Sequence, residues 1–245
     1  GSTSCYDFTL NPYIGCGFDC TYCFATMFQA DEERRQTWGT WVDVKINAAR
    51  KLLRRADLRG KTIFMSSATD PYQPLESKVR LTRSILEVLV EKQPRLVVQT
   101  RGPLVARDID LLGKLHFKRV NMSITTDSEF VRRRFEPFCA SIARRLEAIT
   151  QIAEAGIPTT ICVVPMLPIE NPKAFAALLR STGARYFAAA PFRMSDRKFA
   201  ASTRPLGLEV ADSMGWDRAG YERCYRELKR WLPELNEGGR GFHPE

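Results

Sequence analysis

Short apolar runs alternate with helical patterns along most of this chain, and the alternation limits what it can fold into. Phe8–Ile14, Thr62–Ser66, Arg95–Thr100, Arg119–Thr125, Thr159–Val164 and Arg185–Ala189 are rich in apolar or β-branched residues. Runs of this kind suit parallel strands that are covered on both faces. Between them lie apolar stripes at helical spacing. Leu81, Ile85, Leu86, Val88 and Leu89 form one. Leu146, Ile149, Ile152 and Ala153 form another, closed by Gly156 and Pro158. Phe175, Leu178 and Leu179 form a third, begun by Pro172 and stopped by Gly183. Parallel strands need crossover helices. Six such units predict an α/β protein, an open, partial (β/α)6 TIM-like barrel of parallel strands. A length of 245 residues suits one such barrel. Ligands collect at the carboxyl ends of barrel strands.

The strongest chemical signal falls on the first of those ends. Cys16, Cys20 and Cys23 form a C-x3-C-x2-C run in GCGFDCTYCF, directly after the first apolar stretch. Three thiolates can hold three irons of a four-iron cluster and leave the fourth open to a small molecule. A zinc site and a disulfide set are the alternatives. Zinc usually takes four ligands, and no partner Cys or His pair follows at zinc-finger spacing. Cys5, Cys139, Cys162 and Cys224 show no regular spacing, unlike a secreted disulfide framework. No signal peptide opens the chain and no apolar run reaches membrane-spanning length. A reducing cytoplasm is the expected compartment, with no membrane partner.

The cysteine run, with Tyr22 before its third cysteine, resembles the radical S-adenosylmethionine (radical SAM) superfamily. NPYIGCGFDCTYCFA, SSATDPYQPLE at Ser66–Glu76 and VVQTRGPLVARDIDLL at Val97–Leu112 are similar to successive blocks of its spore photoproduct lyase-like branch. SITT at Ser123–Thr126, Glu136–Pro137, RRLEAI at Arg144–Ile149 and AGIPTTICVVPMLP at Ala155–Pro168 continue the likeness in order. Residues 5–192 are read as the core domain. Residues 193–245 match nothing in the branch and are read as a C-terminal helical extension packed on it.

The resemblance implies the same six-unit partial barrel and a [4Fe-4S] cluster on Cys16, Cys20 and Cys23. It implies S-adenosylmethionine chelating the open iron and an external one-electron reductant. Reductive cleavage would release a 5′-deoxyadenosyl radical that abstracts hydrogen from an unidentified substrate. Transfer of the 3-amino-3-carboxypropyl group is the alternative. A non-enzymatic iron–sulfur electron carrier or redox sensor is the second, although a carrier would usually cover all four irons. Ser66, Ser67, Thr69 and Asp70 fall where the superfamily contacts the methionine amine and ribose; Asp70, before Pro71, also suits a turn. Arg101 and Ser123 are matched to the methionine carboxylate. A surface ion pair and a backbone-bonded serine are their plainer roles. Tyr22 and Phe24 would lie against the adenine or pack beneath the cluster loop. The branch's lyase uses a cysteine downstream of the cluster as hydrogen donor, and none occurs here between Cys23 and Cys139. Cys139, in EPFCAS, is therefore the catalytic candidate, with an inert buried thiol as the alternative. Cys162 reads as core, and Cys224 as packing on an amphipathic helix with Tyr221, Leu228 and Trp231.

Lys and Arg total 37 against 28 Asp and Glu, a net charge of +9. Such an excess suits phosphate-bearing partners, nucleic acid among them. Arg50, Lys51, Arg54 and Arg55, and later Arg223, Arg226, Lys229 and Arg230, have the spacing of solvated helix faces. Arg132–Arg134 is denser, reads as a loop, and is the candidate clamp for an anionic substrate. His116 and His243 adjoin no nucleophile, and no G-x-x-x-x-G-K loop is present. Hydrolase and nucleotide-triphosphatase chemistry is set aside.

Overall fold

The computed structural model describes residues 5–192 and 204–238. Seven parallel strands form its central sheet: β1 Phe8–Leu10, β2 Thr62–Met65, β3 Arg95–Thr100, β4 Phe117–Ser123, β5 Thr159–Met166, β6 Tyr186–Pro191 and β7 Leu235–Glu237. Their order in space is their order in sequence. Every link is therefore a crossover, which is the partial-barrel architecture that the apolar runs predict. Val98, Val120, Met122, Ile161, Val163 and Ala188 are fully buried in the strands. Burying each large aliphatic side chain contributes about 1.5–3 kcal/mol.

Two strands depart from expectation. The first ends at Leu10 rather than Ile14, because Asn11 turns the chain. Its Oδ1 accepts from the Ser67 and Ala68 backbone N–H groups at 2.9 Å each, and Pro12 offers no N–H for a ladder. Tyr13–Ile14 pairs instead with Asp43–Val44 in a separate antiparallel ladder. The C-terminal extension is not wholly helical, since its β7 adds a seventh strand beside β6. The sequence LNE carries no strand periodicity, so nothing local announces it.

Among the described residues, six helices of seven residues or more flank the sheet: α1 Leu81–Lys92, α2 Glu129–Phe135, α3 Ile142–Glu154, α4 Pro172–Ser181, α5 Pro205–Ser213 and α6 Arg218–Trp231. The expected stripes mostly face inward, with Ile85, Leu86, Leu89, Ile149, Ile152 and Leu179 fully buried, but Val88 and Ala153 are half-buried and Leu178, a step of about 100° round the helix from Leu179, is exposed. Ser141 caps α3 and Asn171 caps α4, while Gly156 and Gly183 follow those helices at φ +73°. The helix α6 lies against α4, burying Tyr221 and Leu228 but leaving Trp231 half exposed. No described helix is long and apolar enough to cross a membrane. His116 is exposed beside β4, and His243 lies outside the described residues.

The triple arginine is helical, a correction to its reading as a loop. Ser128 caps α2, and Val131 and Phe135 fall four apart on its buried face. Arg132 is buried: Nε bonds Glu129 at 2.7 Å and Nη1 bonds the carbonyls of Glu136 and Cys139 at 3.1 and 2.9 Å. Arg134 donates to Ser213 on α5 at 3.1 Å. Arg132 is thus engaged in holding the fold, while Arg133 and Arg134 remain exposed on the helix.

Candidate active site

The loops after β1, β2, β3 and β4 meet on one rim of the barrel. Gly15 opens the cysteine loop at φ +82°, where an added Cβ would stand 2.7 Å from the Trp41 carbonyl oxygen. Only glycine enters that turn without displacing backbone. Long-range bonds then fasten the loop. Thr69 Oγ1 donates to the Gly15 carbonyl at 2.6 Å, and the Gly17 N–H donates to Gln73 Oε1 at 2.8 Å. The Thr21 N–H donates to the Phe135 carbonyl at the end of α2, at 2.9 Å.

Cys16 and Cys20 are buried, Cys23 is half-buried, and all three are free thiols. Burial pushes the Cys16 thiol well up, and the charges of Asp70, Cys20 and Cys23 push it further. Burial, then Cys20, push Cys23 up to about 11. The three sulfurs thus lie within electrostatic reach of one another in a dry site. Metal coordination removes such protons outright. No three His, Cys, Asp or Glu side chains among the described residues are grouped for a single metal ion, as zinc requires. A cluster gives each thiolate its own iron, and this donor set fits one. Cys139 is buried with its sulfur 3.8 Å from that of Cys20. Contact with Cys139 lowers the Cys20 thiol, while burial raises that of Cys139, so Cys20 is the more acidic of the pair.

A charged network lies beneath the loop. Tyr22 donates its hydroxyl to Glu136 Oε1 and accepts from Arg101 Nη1. Arg101 Nη1 also donates to Glu136 Oε1 at 2.8 Å, and Thr125 Oγ1 donates to it at 2.9 Å. Arg145 Nη2 stands 2.6 Å from Glu136 Oε2, a charge contact outside hydrogen-bond alignment. Arg145 also donates to the carbonyls of Ala140 and Ser123, at 3.0 and 3.3 Å. Burial pushes the Glu136 carboxyl up, but Arg145 and then Arg101 outweigh it and hold the pKa at about 2. Two guanidiniums against one carboxylate leave one positive charge in excess. That charge helps to keep the Cys20 thiol low.

The other expected residues sit on the same rim, several already engaged with protein. Asp70 accepts from Thr100 Oγ1, Tyr72 N and Arg101 N at 2.6, 2.9 and 2.8 Å, so it joins the β2 and β3 ends as a turn anchor. Ser66 is buried and reaches the Leu10 carbonyl at 3.5 Å. Ser67 accepts from Asn11 Nδ2 at 3.1 Å. Ser123 accepts from Gln99 Nε2 at 3.1 Å. Phe24 is half exposed and meets Phe28 edge-on with centroids 5.9 Å apart. Tyr22 is buried between Phe135 and Phe192, beneath the loop. Cys162 is fully buried on β5, and Cys224 is half-buried on α6.

Glu136, Arg145, Gln73, Asn11 and Arg204 carry no role that the sequence alone shows. Glu136 and Arg145 fall inside blocks that carry the family likeness, and that was the available signal. Arg204, at the start of α5, lies in the extension. Its Nη1 donates to Asp19 Oδ1 and, at 3.2 Å, to the Cys20 carbonyl. The extension thereby grips the cysteine loop directly. We expect Arg204→Ala to speed iron loss to a chelator by roughly tenfold, the upper range for one partly screened charged contact. An unchanged rate in folded variant would remove Arg204 from that role.

Comparison with known proteins bears on the family and the fold. The family model described as the radical SAM superfamily matches residues 10–181. An uncharacterised protein of Methanocaldococcus jannaschii is 35% identical over 161 residues, covering 66% of this chain and 61% of that protein. The chain thus spans less than two thirds of that relative. A spore photoproduct lyase variant with bound AdoMet and dinucleoside spore photoproduct has a TM-score of 0.58 at 16% identity, covering 94% of this chain and 75% of its own. Streptococcus suis SuiB bound to precursor peptide SuiA has a TM-score of 0.62 at 13% identity, covering 96% and 49%. At such identities the two structures show a shared fold.

Proposed function

This chain belongs to the radical SAM superfamily, and from that premise we propose that it cleaves S-adenosylmethionine reductively to begin hydrogen abstraction from an anionic substrate. The observation that carries this reading is the fastened three-cysteine loop sharing one rim with Ser66–Asp70, Arg101 and Ser123. An electron carrier would need only the loop. The superfamily's cofactors are a [4Fe-4S] cluster and S-adenosylmethionine, which together supply the one-electron cleavage of a carbon–sulfur bond.

The residues of the chain supply position and a dry setting. Cys16, Cys20 and Cys23 would hold the cluster. Tyr22 and Glu136 brace the loop between the second and third cysteines from below. The excess positive charge of the Arg101–Glu136–Arg145 group suits a carboxylate, so we assign the methionine carboxylate to Arg101 and Ser123. Ser67 and Thr69 would face the amine and ribose. Asp70 holds the floor of that segment. Cys139 lies beside a cluster ligand, so we read it as part of the loop's setting and not as the hydrogen donor. The net charge of +9 supports an anionic substrate, and a reducing cytoplasm suits the cluster. The spore photoproduct lyase and SuiB structures contain a dinucleoside and a peptide respectively, so the fold itself favours neither class.

Anaerobic reaction with S-adenosylmethionine and dithionite tests the reading. 5′-Deoxyadenosine and methionine are the expected products. 5′-Methylthioadenosine would favour 3-amino-3-carboxypropyl transfer, and no cleavage by a cluster-loaded protein would favour a carrier. A lost charge-assisted contact costs about 1.5–3 kcal/mol. Arg101→Ala should therefore raise the Kd for S-adenosylmethionine by at least roughly tenfold. Unchanged affinity in a folded, cluster-loaded variant removes Arg101 from the ligand site.

A further inference from the structure

The opposite end of the sheet holds a cavity that this chemistry does not use. It lies at the amino ends of β3 to β6, has a volume of about 430 Å3, and is lined by Arg95, Lys118, Arg119 and Arg185 with Phe117 and Tyr186. No Asp or Glu is among the described residues lining it. We propose that this cavity is a second binding site, and that its ligand is a phosphate group.

The aromatic rings organise the cations. The Arg95 guanidinium lies 4.4 Å from the Phe117 ring centroid. Arg119 and Arg185 lie 5.7 and 5.3 Å from the Tyr186 centroid. A guanidinium held over a ring face keeps N–H groups at its edge for an acceptor. Arg119 is 7% exposed and also bonds the Tyr6 hydroxyl, which fixes it further. Three guanidiniums are thus oriented in the free protein, which lowers the ordering cost of binding. They repel one another, and an anion between them removes that repulsion. A carboxylate offers two oxygens and satisfies one guanidinium fork. A phosphate offers more oxygens and can be shared among several guanidiniums. The volume lies within the range of small-molecule sites. Because the cysteine loop is at the other end of the strands, the site would hold or tether a ligand rather than expose it to the cluster.

The phosphate can come from a small molecule or from a polynucleotide backbone, and the test separates them. Anaerobically reconstituted full chain is titrated with inorganic phosphate and, separately, with fluorescein-labelled single-stranded DNA across a salt series. Wild type should bind phosphate. The Arg95→Ala/Arg185→Ala double variant should bind it at least roughly tenfold more weakly, given the cost of a lost charged contact. Its iron content and 5′-deoxyadenosine yield should match wild type. Parallel loss of DNA binding, with a flatter salt dependence, assigns the site to a polynucleotide. Loss of phosphate binding alone assigns it to a small phosphorylated ligand. Should the double variant fail to fold, Lys118→Glu, at a half-buried position, gives the same readout. Absence of phosphate binding by wild type, or undiminished binding in a folded variant, overturns the proposal and leaves the radical chemistry untouched.

Discussion

Replacing Cys16, Cys20 and Cys23 together by Ala should leave anaerobically reconstituted protein without iron and without any cleavage of S-adenosylmethionine. Wild type should carry about four irons and four sulfides per chain, the composition of one such cluster. The effect should be complete, because Cys5, Cys162 and Cys224, among the remaining cysteines, lie outside the loop and show no ligand spacing. The fold should survive. The loop is held by Gly15, Gly17 and Thr21 through backbone contacts that the substitutions do not touch. Cys139→Ser is the informative control. Its sulfur is 3.8 Å from that of Cys20, near enough to be mistaken for a ligand. If Cys16, Cys20 and Cys23 hold three irons and leave the fourth for S-adenosylmethionine, Cys139→Ser should keep its iron. Full iron in the triple variant would overturn the cluster assignment. Iron loss in a folded Cys139→Ser variant would mean a fourth protein ligand.

Legibility in the sequence followed the range of the interactions. Buried parallel strands carry continuous apolar runs, so β2 to β6 could be read locally, whereas β1 is a three-residue edge strand with no buried residue, and its end at Leu10 could not. The edge strand β7 is three residues long and only Leu235 is buried, so its place comes from pairing with β6 alone. The rim could be read because short motifs follow each strand. The network beneath it could not, since Arg101 and Glu136 are 35 residues apart and Tyr22 and Glu136 are 114 apart. Nothing near Glu136 says which arginines it will meet. The run Arg132–Arg134 misled in the opposite sense. The region reads as a loop, whereas Val131 and Phe135 set a helix and turn Arg132 inward.

Glu136→Gln should lower the unfolding free energy of the cluster-free chain at pH 7 by about 3–5 kcal/mol, the usual cost of removing one partner from a buried ion pair. Glu136 and Arg145 are both fully buried, and Arg101 is largely so, so solvent screens this group little. Loss of the carboxylate charge leaves two guanidiniums facing each other across the space it occupied. Holding Glu136 at about 2 rather than its ordinary 4.5 corresponds to about 3 kcal/mol. Because the folded pKa is the depressed one, that stabilisation is complete above about 4.5 and is lost as pH falls toward 2. The gap between wild type and Glu136→Gln should therefore be widest at neutral pH and shrink steadily below pH 4.5. Urea unfolding of both chains across that range measures it. Equal midpoints at pH 7 would mean that the charges are balanced some other way. A gap that persists undiminished to pH 2 would mean that Glu136 acts through packing and not through its charge. The functional consequence is local, because Glu136 bonds Tyr22, which stands between Cys20 and Cys23. Glu136→Gln should also slow cluster assembly, even in the fraction of chains that remains folded.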